Sequence, residues 1–123
     1  MKKLILILLS TLIFTRCAGI NTYRQISMDE AVTMMAKETG YIILDVRRPD
    51  EYAAGHIPNA INVPNESIGT DEIPELPKKD QLIMVYCRSG RRSKEASAKL
   101  VKLGYTNIVE FGGILDWKGE IET

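Results

Sequence analysis

The sequence is poor in three features that would point directly to a class of partner: net charge, cysteine and histidine. Its 16 lysines and arginines balance 16 aspartates and glutamates, so no overall field attracts nucleic acid or an anionic membrane. Two cysteines, one histidine and scattered acidic residues form no cluster of metal ligands, and we expect no metal and no other cofactor. The 123 residues fit one domain with a short appendage. Electrostatic attraction of a ligand must therefore be local.

The apolar run near the N-terminus is too short for a membrane span. Residues 4–14 form an eleven-residue run behind the basic start Met1-Lys2-Lys3, whereas a span needs roughly 20 apolar residues. Such a run behind lysines is typical of an export signal. We therefore predict that residues 1–19 are a signal peptide, a lipoprotein-type signal or a membrane anchor. The protein is then exported, periplasmic or bound to the membrane through this segment alone.

The mode of export stays open between three alternatives. Cys17-Ala18 resembles the lipoprotein signal of bacteria, in which the cysteine is lipidated, but Arg16 stands where that signal has a small residue. Cleavage after Gly19 is the second alternative, and an uncleaved anchor is the third. If Cys17 is removed or lipidated, Cys87 is the only free thiol, and it is either buried and inert or reactive.

The remaining chain alternates between patterns of strand and helix. Residues 20–26 read as a linker, and residues 27–119 as one domain. Ser27 and Glu30 have the spacing of a capping box that begins a helix, which Gly40 is placed to end. Four apolar strands follow, at 41–44, 61–63, 81–86 and 108–111. A second long helix is predicted between the last two of them, at 93–103. Residues 64–80 are polar and rich in proline, so we predict a loop with at most one helical turn. This alternation predicts an α/β fold, with a parallel sheet and helices on both faces.

The most informative stretch is the junction after the strand at 81–86. Cys87 ends that strand, where ligands bind in open α/β sheets. The helix expected from Ser93 points free N–H groups and a partial positive charge back at the cysteine. Arg88, Arg91 and Arg92 add formal charge. These effects favour a thiolate, so we predict a pKa for Cys87 well below that of a free cysteine.

The loop backbone also suits an anion. Gly90 permits an unusual φ, which lets successive N–H groups converge into an anion-binding nest. A cysteine in such a nest can hold a negatively charged adduct on its sulfur.

Several motifs together resemble the single-domain rhodanese family. They are 85–93 (Val-Tyr-Cys-Arg-Ser-Gly-Arg-Arg-Ser), 44–47 (Leu-Asp-Val-Arg), 51–52 (Glu-Tyr), 55–60 (Gly-His-Ile-Pro-Asn-Ala) and 112–117 (Gly-Gly-Ile-Leu-Asp-Trp). The resemblance implies an open, mainly parallel sheet of about five short strands. It also implies a sulfurtransferase that moves sulfur from a thiosulfate-like anion to cyanide or a thiol through a persulfide on Cys87. The site it implies consists of Cys87 with Arg88, Ser89, Gly90, Arg91, Arg92 and Ser93.

The length of the loop separates relatives on this fold. Arg92 is the fifth residue after Cys87 and Ser93 the sixth, whereas phosphatases of the family have a loop one residue longer with arginine sixth. The shorter loop disfavours a phosphatase or arsenate reductase. A second hypothesis is a persulfide carrier that serves a protein acceptor and has little activity on free thiosulfate.

Four other residues are candidates for support of the site. His56 invites a role as general base, but its glycine-histidine-isoleucine-proline turn favours a structural role. Asp45, at a strand end, is placed to hydrogen-bond the active loop or to cap a turn, and Arg47 belongs to the same motif. Trp117 is expected to anchor the core near the site.

Overall fold

The computed structural model describes residues 22–123, which form a five-stranded parallel sheet between helices. The strands are β1 (Arg24–Gln25), β2 (Ile42–Asp45), β3 (Ile61–Asn62), β4 (Ile83–Cys87) and β5 (Ile108–Gly113), and the helices are α1 (Met28–Lys37), α2 (Pro49–Ala54) and α3 (Arg91–Lys102). Short 3₁₀ turns occupy Asn65–Ser67 and Ile114–Asp116. The strand order is β1-β5-β4-β2-β3, and every neighbouring pair is parallel. The predicted fold class is confirmed.

Strand β4 is the centre of the sheet and is buried along its whole length. Ile83, Val85 and Cys87 face the cluster that contains the buried residues of α3. Met84 and Tyr86 face the opposite cluster, which contains α1. This alternation is that of a strand covered on both sides, and it directs Cys87 toward the α3 side at the carboxyl end of the sheet.

Helix α1 begins as predicted and ends earlier than predicted. The Ser27 hydroxyl accepts from the Glu30 N–H at 3.1 Å, and the Glu30 carboxylate accepts from the Ser27 N–H at 2.8 Å. The helix ends at Lys37 because Glu38 is already extended while its N–H still bonds Met34 O. The prediction that Gly40 ends the helix is therefore wrong; Gly40 lies in the turn that follows, at φ +71°.

Helix α3 begins two residues before the predicted start at Ser93. Gly90 caps it at φ +116°, a left-handed conformation that favours glycine. Because this residue turns the chain at once into the helix, Arg91, Arg92 and Ser93 form its first turn. The loop between Cys87 and α3 is only three residues long, Arg88–Gly90.

Part of the range predicted as a linker, 20–26, belongs to the sheet. Residues 24–25 form an edge strand paired with β5. The loop at 64–80 contains one 3₁₀ turn, as predicted, and Asn65 binds it to α3 through Glu95 at 2.9 Å and Lys99 at 2.9 Å. None of the helices within residues 22–123 is long and apolar enough to cross a membrane.

Candidate active site

Cys87 lies beneath the short turn that joins β4 to α3. Only 1% of the surface of this residue is accessible to solvent. The Gly90 N–H donates to Sγ at 2.9 Å, and Ser93 Oγ lies 3.5 Å from the same sulfur. The turn therefore folds back over the sulfur and directs hydrogen-bond donors at it.

These donors make Cys87 more acidic than an ordinary cysteine. Burial raises the pKa of the thiol, because a thiolate loses hydration there. Hydrogen bonds from the Ser93 hydroxyl and from the N–H groups of Ser93, Gly90 and Ser89 outweigh burial and lower the pKa overall. The predicted direction is confirmed, but the causes are these hydrogen bonds. Arg92 contributes at longer range, since the Cys87 charge raises the pKa of its guanidinium, after the larger effect of Glu51.

A basic cleft of about 430 Å³ opens beside the turn. Its lining consists of Arg48, Glu66, Arg88, Ser89, Arg91 and Arg92. Four guanidinium groups against one carboxylate suit a small anion, and arginine binds the oxygens of such anions in a planar fork. The arginines after Cys87 were predicted from the sequence, whereas Arg48 and Glu66 were not, because they come from two other segments of the chain.

Three of the four arginines are held by carboxylates. Arg92 makes two bonds to Glu51, at 2.7 and 3.1 Å. Arg91 pairs with Glu95 at 3.0 Å, and Arg48 pairs with Asp50 at 3.1 Å. Within residues 22–123, no carboxylate lies within 4 Å of the Arg88 guanidinium. Arg88 therefore keeps its charge available for a ligand.

Replacement of Glu51 by glutamine is expected to lower the free energy of unfolding at pH 7 by about 2 kcal/mol. The bond from Arg92 lowers the pKa of Glu51 from 4.5 to about 2, against the opposing effect of burial. Because the folded-state pKa is lowered, this stability is complete above pH 4.5 and is lost as the pH falls toward 2. Urea unfolding of both proteins across this range measures the difference.

The control for this replacement is Asp50→Asn, which removes the neighbouring carboxylate from its exposed pair with Arg48. Exposed pairs contribute little, so this variant is expected to unfold like the unchanged protein. A Glu51→Gln effect that persists undiminished near pH 2 contradicts the assignment.

Asp45 and Arg47 fix the residue that precedes Cys87. Asp45 is fully buried, accepts from Arg47 Nη2 at 2.7 Å and accepts from the Tyr86 hydroxyl at 2.6 Å. Burial raises the pKa of Tyr86, helped by its bond to Asp45, so Tyr86 stays a neutral donor. Tyr86 also accepts from the Ile57 N–H at 3.1 Å. The network joins three segments behind the turn between β4 and α3.

His56 and Trp117 contact the scaffold. The His56 ring stacks on Tyr52 at 3.8 Å, and its Nε2 lies 3.6 Å from Glu122. Trp117 packs in the α1-side cluster and donates from Nε1 to Glu120 O at 2.9 Å. The turn before Trp117 reaches the site through its backbone, since the Leu115 N–H donates to Arg88 O at 3.2 Å.

Glu110 and Gly113 also lie at the site, although neither was predicted from the sequence to belong to it. Glu110 is 3% exposed, and its Oε2 lies 2.5 Å from Ser93 Oγ and 2.9 Å from the Gly112 N. A Cβ on Gly113 would overlap the Arg88 carbonyl and lie 2.6 Å from Ser89 Cα. The available signal was a charged residue inside the apolar run of β5. The other predicted residue, Cys17, lies outside the described range.

Comparisons with known proteins identify a matching family, similar sequences and a similar solved structure. The model of the family described as "Rhodanese-like domain" matches residues 27–120. The thiosulfate sulfurtransferase PspE of Escherichia coli (strain K12) is 36% identical over 73 residues, which cover 59% of this chain and 70% of that protein. A sulfurtransferase of Allochromatium vinosum is 35% identical over 94 residues, 76% of this chain and 86% of that one. The solved structure titled "rhodanese with anions from E. coli" is 31% identical, with a TM-score of 0.61, and covers 68% of this chain and 98% of its own.

Proposed function

This chain belongs to the rhodanese-like domain family, and from that premise we propose that it is a thiosulfate-type sulfurtransferase that carries sulfur on Cys87. The observation that carries the proposal is the position of the sulfur. It lies at the end of β4 and receives the Gly90 N–H at 2.9 Å, and the turn that covers it borders a cleft with four arginines. Its relatives include proteins named thiosulfate sulfurtransferase and sulfurtransferase.

In the first half-reaction, the Cys87 thiolate attacks the outer sulfur of thiosulfate. The sulfur–sulfur bond of the donor breaks, sulfite leaves with the electron pair, and a persulfide anion remains on Cys87. The N–H groups that already lower the pKa of Cys87, those of Ser89, Gly90 and Ser93, stabilise this anion. Arg88, Arg91 and Arg92 bind the oxygens of the donor.

In the second half-reaction, cyanide or a thiolate attacks the terminal sulfur of the persulfide. The bond between the two sulfurs breaks, the acceptor leaves with the transferred sulfur, and the Cys87 thiolate is restored. Donor and acceptor use the same cleft in turn, so ping-pong kinetics are expected.

The dimensions of the turn favour sulfur over phosphate. Ser93, the sixth residue after Cys87, is fully buried, and its Oγ lies 2.9 Å from Gly90 O. In the longer phosphatase loop, the sixth position carries arginine. Here the Ser93 side chain packs under the turn, 3.5 Å from Cys87 Sγ, and leaves no arginine at that position.

Intact-mass measurement after incubation with thiosulfate tests the proposal. One added sulfur atom on Cys87 is the expected result, and cyanide should remove it with release of thiocyanate. Hydrolysis of an aryl phosphate without any sulfur adduct would instead identify a phosphatase.

A protein acceptor is favoured by one surface feature. Leu115 is 62% exposed, and its backbone is bonded to Arg88 beside the cleft. An apolar side chain here suits contact with a partner that presents a thiol. Turnover with a protein thiol that greatly exceeds turnover with cyanide would favour this carrier role; the reverse would favour free acceptors.

Export completes the proposed function. Residues 1–19 carry the lysine start and the apolar run, which would place Cys87 outside the cytoplasm. Mass spectrometry of the mature N-terminus distinguishes a diacylglyceryl adduct on Cys17 from a chain that begins at Ile20. A mature chain that retains Met1 and fractionates with the cytoplasm would contradict export.

A further inference from the structure

Glu110 is a buried acid that the reaction above does not use. It is 3% exposed and lies in β5, opposite Val85 of β4 and Gln25 of β1 in register. Within residues 22–123, no lysine, arginine or histidine nitrogen lies within 4 Å of its carboxyl group. A carboxylate buried without a cation is unfavourable, so its place beside the catalytic turn calls for a reason.

A single hydroxyl connects Glu110 to the sulfur. Ser93 Oγ lies 2.5 Å from Glu110 Oε2 and 3.5 Å from Cys87 Sγ. At 2.5 Å a hydrogen must lie between the two oxygens, and it belongs either to Ser93 or to Glu110. If it belongs to Ser93, the hydroxyl has none left for the sulfur. If it belongs to Glu110, the Ser93 hydrogen can bond either the thiolate or Gly90 O, which lies 2.9 Å from Ser93 Oγ. The charged thiolate is the stronger acceptor of the two.

We propose that Glu110 is a positioning residue that takes the Cys87 proton through Ser93. The Cys87 S–H bond breaks as its hydrogen passes to Ser93 Oγ, while the original Ser93 hydrogen passes to Glu110 Oε2. Charge moves from the carboxylate to the sulfur, and nothing is oxidised or reduced. The result is a chain of donors, from Glu110 to Ser93 and from Ser93 to the thiolate.

Charge favours this sharing of one proton. Two negative charges on opposite sides of one buried hydroxyl would repel strongly. Two cations of the first turns of α3 bind elsewhere: Lys94 Nζ lies 3.4 Å from Gly90 O, and Arg92 pairs with Glu51. The hydrogen bond from Ser93 is also one of the effects that lower the pKa of Cys87, as the chain of donors requires.

The Gly112 N–H makes a decisive variant possible. It donates to Glu110 Oε2 at 2.9 Å, so any replacement must present an acceptor at that place. In Glu110→Gln, the amide oxygen takes this place and accepts from Ser93 as well. Ser93 is then turned away from the sulfur, without a charge being added.

The titration of Cys87 is measured as the thiolate ultraviolet absorbance of the full chain minus that of its Cys87→Ser form. Glu110→Gln is expected to raise the midpoint by about one to two pH units, the value of one hydrogen bond to a charged group. Ser93→Ala should raise it by a similar amount, and the double variant should add little. Glu38→Gln, an exposed acid in the turn after α1, should leave it unchanged.

The opposite result has a clear meaning. If Glu110 were simply an ionised anchor, its replacement by glutamine would remove a nearby negative charge and lower the midpoint. A lower or unchanged midpoint in Glu110→Gln, with thermal unfolding that shows a folded protein, overturns the proposal. If that variant does not fold, an unchanged midpoint in Ser93→Ala overturns it. The proposal rests on the proposed function only in that Cys87 is the nucleophile, and the titration uses no sulfur donor, so the two can fail separately.

Discussion

Replacement of Cys87 by serine is expected to abolish sulfur transfer from thiosulfate and to eliminate the added sulfur in the intact mass. A hydroxyl in this position is neither ionised at neutral pH nor able to hold a persulfide. The turnover with cyanide should fall by at least about three orders of magnitude, as for the loss of other enzymatic nucleophiles. Thermal unfolding should change little, because oxygen replaces sulfur at a site that the turn already encloses with donors.

The second cysteine is the matched control. Cys17→Ser removes the other cysteine thiol of the sequence and should leave both the adduct and the turnover intact. Sulfur that still accumulates on Cys87→Ser, or turnover within tenfold of the unchanged protein, would exclude Cys87 as the carrier.

Replacement of Gly113 by alanine is expected to displace the turn Arg88–Gly90, which joins β4 to α3. Gly113 has an ordinary φ of −134°, so the requirement for glycine is one of space. An added Cβ would overlap the Arg88 carbonyl and lie 2.6 Å from Ser89 Cα, and both are backbone atoms that move only with the turn. We expect kcat/KM for thiosulfate to fall by about 100-fold and the free energy of unfolding to fall by about 1–3 kcal/mol.

Gly69→Ala serves as the control, since a Cβ there would meet nothing within 4 Å. It should alter neither activity nor unfolding by a measurable amount. The two variants add the same methyl group, so a difference between them reports the fit of the turn against β5. Full activity in Gly113→Ala would mean that the turn is free to shift without loss of function.

The local elements of this protein are predictable because each is encoded by neighbouring residues. The Ser27 and Glu30 capping box forms as the spacing predicts. The apolar run before Cys87 becomes the buried strand β4, and Gly90 takes the positive φ expected of it. Boundaries were less certain, since Gly40 does not end α1 and α3 begins at Arg91, before Ser93.

Only part of the environment of the Cys87 sulfur comes from residues close to it in sequence. The N–H groups that lower the pKa of Cys87 lie within six residues of it, so the sequence was sufficient to anticipate them. Arg92, by contrast, is held by Glu51, 41 positions away. From the sequence, the arginines are a common source of positive charge. In the structure, Arg92 is bound to a carboxylate, whereas Arg88 has no carboxylate within 4 Å among residues 22–123.

By itself, the sequence determined the fold class, the position of Cys87 at a strand end and the short turn with its arginines, because periodicity, capping and turn chemistry act over a few residues. Only the tertiary structure decided that Glu51, Glu110 and Gly113 belong to the site. Parallel strands joined by helices bring together residues far apart in sequence, and their contacts depend on strand order and register. Glu110, behind Ser93, and Gly113, beneath Arg88, come into contact with the turn only because β5 lies beside β4.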